Sequence, residues 1–80
     1  MPSHGDTVRY KIFGDRRDQR LVLREAGFAD ERDAASWALG LAPDDPDVTA
    51  SRLVRRIRRA RPDLTLATAR YIAGQAGVRR

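Results

Sequence analysis

Residues 52 to 61 read RLVRRIRRAR, six arginines in ten positions with Leu53, Val54 and Ile57 threaded among them. A guanidinium carries a permanent charge and a planar fork of donors, the shape that grips phosphate or carboxylate two bonds at a time. At 100° per residue, Ala50, Leu53, Val54, Ile57 and Ala60 share one sector of a helix. Arg52, Arg55, Arg56 and Arg59 fall roughly opposite, with Arg58 on the flank. The polar side of this helix is therefore wholly cationic. Arg70 adds a cation on the next segment, beside Tyr71 and with Gln75 on the margin. All three residue types contact phosphates or base edges in nucleic-acid complexes.

Three readings of the arginine face stay open. It is a solvated surface whose late arginines suit the negative end of the helix dipole; or it binds nucleic acid; or it docks an acidic protein. Like charges at i,i+3 and i,i+4 cost about 0.2–0.5 kcal/mol per pair, and no glutamate is interleaved to relieve them. Uncompensated repulsion makes physical sense where an anion visits. The aspartates at 44, 45 and 47 are the nearest groups that can neutralise part of it.

Other chemistry is hard to build here. The chain has no cysteine, which removes disulfides and thiolate metal sites, and its single histidine, His4, sits near the terminus. Glycines occur singly, in neither a phosphate loop nor a dinucleotide fingerprint. Asp44, Asp45 and Asp47 lack the alternating ligands, turn glycine and distal glutamate of a calcium loop, and turn formation explains them more simply. No enzyme activity, cofactor or metal is expected.

The elements that carry the arginines follow from punctuation. Residues 8–13, VRYKIF, alternate with a period of two, so Val8, Tyr10 and Ile12 predict one face of a short strand. Asp15 as cap and Gly27 as terminator predict a helix over about 16–26, with Phe28 folding back onto Leu23. Asp30 and Gly40 bracket a second helix, with Glu31 and Asp33 in its first turn and Trp37 as the large core anchor. Asp45 and Pro46 read as cap and first position of a third helix over about 46–60, which Pro62 stops. Thr65 and Gly77 bound the fourth.

Eighty residues suit one small domain, and 41% apolar content is enough to fold it. The expected layout is a flexible N-terminus over 1–7, a helical domain over 8–77 and a tail over 78–80. Residues 1–47 hold seven Lys/Arg against ten Asp/Glu, and residues 48–80 hold nine Arg against one Asp. The domain thus divides into an acidic first half, 8–47, and a basic helical hairpin, 48–77. No apolar run approaches the ~18 residues of a membrane span and no leader is apparent, so the expected location is the cytoplasm, with no membrane partner.

The strand-helix-glycine-helix order over 8–41 resembles the ribbon-helix-helix DNA-binding architecture. That resemblance implies a homodimer pairing Val8, Tyr10 and Ile12 across a two-chain ribbon, with Arg9 and Lys11 toward DNA. The two helices of 50–76 and their short connection resemble a helix-turn-helix. The stretch LVRRIRRARPDLTLATARYI is similar to a helical hairpin in the C-terminal domain of a ribosomal stalk protein. None of these assigns a family.

The expected fold is mostly α: a compact bundle of about four short helices with a short N-terminal β-strand. Its core is expected to draw on Leu21, Val22, Phe28, Trp37, Leu41, Leu53, Val54, Ile57, Leu66, Ala69 and Ile72. The expected role is a small nucleic-acid-binding or regulatory protein using Arg52, Arg55, Arg56, Arg58, Arg59 and Arg70 on phosphates. The alternative is an interaction module whose basic helix docks an acidic protein surface. Strand pairing predicts a concentration-dependent dimer by sedimentation that Tyr10→Pro disperses. A chain that keeps monomer mass at high concentration, or a dimer indifferent to that substitution, rules it out.

Overall fold

The computed structural model describes residues 16–79. Among them run α1 (Gln19–Glu25), α2 (Glu31–Leu39), α3 (Ala50–Ala60) and α4 (Leu66–Gln75), so the fold is mostly α, as expected. The strand expected over 8–13, with Val8, Tyr10 and Ile12, lies outside the described residues, as does Asp15.

Each helix begins on a side-chain oxygen that takes up an otherwise orphaned backbone N–H. The Asp30 carboxylate accepts from Asp33 N at 2.8 Å, and Asp33 in turn accepts from Ala29 N at 3.0 Å. The Thr65 hydroxyl accepts from Thr68 N at 3.2 Å. Asp18 is the cap of α1 and accepts from Arg20 N at 3.1 Å, so that helix is shorter than the 16–26 expected. At its other end, Gly27 takes φ +102°, a conformation that favours glycine. Phe28 N then donates to Leu23 O at 2.9 Å and Gly27 N to Arg24 O at 3.1 Å, which closes the helix as a Schellman turn.

The start of α3 departs from the sequence reading. Asp45 is not its cap and Pro46 is not its first residue; Thr49 caps it and it begins at Ala50. Two successive turns, Asp45 N to Ala42 O and Val48 N to Asp45 O, each 3.2 Å, carry the chain through this stretch. They deliver Val48 into the core at 6% exposure. A helix from residue 46 would forgo this, because Val48 here precedes the cap and Leu53 sits at the fourth helical position, both buried in one cluster. Leu64 and Ala69 flank the Thr65 cap of α4 in the same way.

The core lies where α4 meets the other three helices. Leu23, Leu53, Ile57 and Ile72 are fully buried, with Ala34, Ala38 and Ala69 letting the backbones approach. Leu21 and Leu66, expected inside, are 55% and 40% exposed. On the short α1, Val22 and Leu23 take the inward positions. At α4, Leu64 ahead of the cap is the leucine in the core, while Leu66, the first helical residue, faces outward. Trp37 sits at the core margin, its ring tilted 51° to Phe28 with centroids 5.2 Å apart. Val78 packs against the core, and a parallel bridge joins Thr49 to Arg79. No helix among the described residues is long and apolar enough to cross a membrane.

A polar knot ties α1 to the start of α4. The buried Thr68 hydroxyl donates to Gln19 Oε1 and lies 3.1 Å from the Thr65 hydroxyl, while Gln19 Nε2 donates to Arg17 O at 3.1 Å. Thr68→Val keeps the shape and removes the hydroxyl, leaving Gln19 without its buried donor. The expected loss is about 1–2 kcal/mol, a fall in Tm of roughly 4–15 °C. An unchanged Tm by differential scanning calorimetry would show the knot to be incidental.

Candidate functional site

Position along α3 fixes what each arginine can do. Leu53 and Ile57 are fully buried and point the helix at the core, and Ala50 and Val54 line the edges of that contact. Arg52, Arg55, Arg58 and Arg59 are consequently exposed, and Arg56 is half-buried. The cationic face read from the helical wheel is thus present in space.

The turns before α3 neutralise only part of it. Arg56 Nη1 donates to Leu41 O at 3.0 Å and to Asp44 Oδ1 at 3.1 Å. Arg52 Nη1 lies 3.5 Å from Asp45 Oδ2. The backbone N–H of Asp44 and the Arg56 guanidinium together hold the Asp44 carboxyl below the usual carboxylate range. Arg61, the last arginine of the run, is structural. It ends α3, forks onto Asp63 at 2.8 and 2.9 Å, and donates to Ala26 O at 3.1 Å. Its guanidinium carbon lies 5.7 Å from the centre of the Phe28 ring. Asp63 raises the Arg61 pKa further, so this charge is permanent.

Arg55, Arg58 and Arg59 have no carboxylate partner among the described residues, and neither does Arg70 on α4. Arg52, Arg55, Arg56 and Arg59 surround an open hollow of about 520 Å³, with Leu41 and Ala60 in its wall. A second hollow, about 730 Å³, lies along the outer edges of α3 and α4 where they pack together and has Arg55 and Arg70 in its lining. Arg55 therefore stands on the ridge between the two, and the structure gathers Arg52, Arg55, Arg56, Arg59 and Arg70 on continuous surface. Arg58 lies on the flank, exposed in the last turn of α3.

Tyr71 does not join Arg70. It is half-buried against the core beside Glu31 of α2, and burial first, then the Glu31 carboxylate, pushes its hydroxyl pKa up. Gln75 is exposed near the end of α4. Among the described residues no group of three or more His, Cys, Asp or Glu is placed to hold a metal ion. The wheel separates apolar from cationic positions, but the division between tethered and untethered arginines appears only in three dimensions. The one signal for it in the sequence is the run of aspartates at 44, 45 and 47 just ahead of the helix.

Because the Asp44 pKa is lowered on folding, its pairing stabilises the fold fully above the ordinary carboxylate range. The contribution is lost as pH falls through the lowered value. The Tm of Asp44→Asn is therefore expected to fall less than that of the parent between about pH 6 and about pH 3. Parallel pH profiles of Tm would remove this pair from the stability of the turn.

Set against known protein families, curated proteins and solved structures, the chain matches none. Its functional reading stands on the residues described above.

Proposed function

We propose that this protein binds nucleic acid through the phosphate backbone, using the cationic face of α3 with help from Arg70 of α4. One observation carries the reading: Arg55, Arg58, Arg59 and Arg70 are exposed and have no acidic partner among the described residues, although a row of aspartates stands beside the same helix. Ion pairing within the fold holds Arg52 and Arg56 in place and leaves the others to an external anion. Their exposure keeps them hydrated until that anion arrives, so no buried-charge cost accumulates in the free protein.

Dimensions support the same partner. Eleven residues make α3 about 16 Å long, over which duplex DNA presents on the order of ten phosphate charges. Three or four arginine–phosphate contacts fit that span. Contacts of this kind position a protein on the helix and carry no base sequence, so the expected binding is weakly sequence-dependent.

The test is fluorescence anisotropy with a mixed-sequence DNA duplex and a single-stranded RNA. Three or four phosphate contacts predict micromolar binding at about 50 mM salt that weakens at about 200 mM by roughly 40- to 150-fold for the duplex and roughly 20- to 50-fold for the single strand. Arg55→Ala and Arg59→Ala are each expected to lower the salt slope by about one unit while leaving Tm unchanged. Absence of binding at the lower salt, or binding untouched when both arginines are replaced together, would overturn the reading and leave the arginines as a solvated or protein-facing surface.

A further inference from the structure

Among the described residues, the packing of α3 on α4 leaves their outer side open. The groove there runs from Leu66, in the first turn of α4, to Val78 beyond its end, with Ala50 and Val54 on one wall and Ala73 and Gly74 on the other. Leu66 is a large apolar side chain left 40% exposed inside this groove. Gly74 is more telling. Glycine within a helix is destabilising relative to alanine, and among the described residues a Cβ placed on Gly74 meets nothing within 4 Å beyond its own helix. Nothing in the packing of the described residues requires the missing side chain; its effect is to keep the groove clear.

Shape and charge together select an occupant. Leu66, Arg70 and Gly74 are spaced i,i+4,i+8 along α4, and Ala50 and Val54 are spaced i,i+4 along α3. Rows of this kind accept the side-chain ridge of another helix. Arg55 and Arg70 line the groove without a carboxylate partner among the described residues. A neutral ligand would leave both charges unanswered, and a second copy packed two-fold on the same face would press like charges together. We propose that this groove docks an amphipathic helix of a partner protein, its apolar stripe on Leu66, Val54 and Gly74 and its flanking carboxylates on Arg55 and Arg70. This surface requires an apolar stripe in its ligand, which phosphate binding along α3 does not.

The full chain, labelled with ¹⁵N, is titrated with a synthetic helical peptide of about 16 residues that carries leucines at i, i+4 and i+7 and glutamates on both flanks. The expected result is binding in the range of tens of micromolar, with amide shifts concentrated at Ser51, Val54, Leu66 and Gly74. A version with lysine in place of glutamate is expected to bind at least roughly tenfold more weakly, and so is one with serine in place of leucine. Gly74→Leu fills the groove and is expected to weaken the acidic peptide by a similar factor with a native-like spectrum. Arg70→Glu reads the same loss through charge, should the first variant fail to fold. No shifts at about 1 mM peptide, or equal binding of the lysine version, would overturn the proposal. Equal binding of the serine version would reduce the groove to a general anion surface and overturn it too. Groove amides that move with protein concentration alone would assign the surface to a second copy instead.

Discussion

The burial of Leu53 and Ile57 against α4 is the contact on which the rest depends. Five arginines in eleven residues give α3 five like-charge pairs at i,i+3 or i,i+4, together worth roughly 1–2.5 kcal/mol of repulsion. Burying one leucine and one isoleucine fully offers about 3–6 kcal/mol in the opposite direction. The apolar stripe wins, and its orientation then dictates every arginine's environment. A helix this charged is stable because of its partner, and its partner is the least charged helix in the domain. α4 can touch all three other helices because its buried residues are small or aliphatic: Thr68, Ala69, Ile72 and Ala73.

The acidic turn from Ala42 to Asp47 acts through the same contact. By carrying Val48 into the core it anchors the start of α3 while Asp44 and Asp45 reach Arg56 and Arg52. An exposed ion pair contributes little by itself, but here two of them converge on a turn already fixed by a buried valine. They hold arginine side chains in defined directions. Arg55, Arg58 and Arg59 keep their rotamer freedom in the free protein.

Local signals were the legible part of the fold. Asp30, Thr65, Gly27 and Gly77 act within one helical turn, so residue type and spacing suffice to read them. The start of α3 was not legible, because Asp45–Pro46 satisfies the local grammar of a helix start as well as Thr49 does, and only burial of Val48 with Leu53 in the core decides between them. The same applies to Leu21 and Leu23: both are leucines on one short helix, and only the direction of α4 decides which goes inside. For the candidate site, the sequence shows the cationic face but not its division of labour. Arg61 reads as one more member of the run until Asp63, Ala26 and Phe28 close around it.

The bridge between Thr49 and Arg79 bears on more than local order. Ala50 N donates to Arg79 O, so the α3–α4 hairpin is joined at its loop by residues 61–65 and again at its open end. The segment is thus closed at both ends, with α1 and α2 packed against α4. The open end of a hairpin is ordinarily where thermal fraying begins; here fraying must first break a contact between the chain just before α3 and the chain just after α4. The two helices that carry the untethered arginines are therefore tied to one another at both ends.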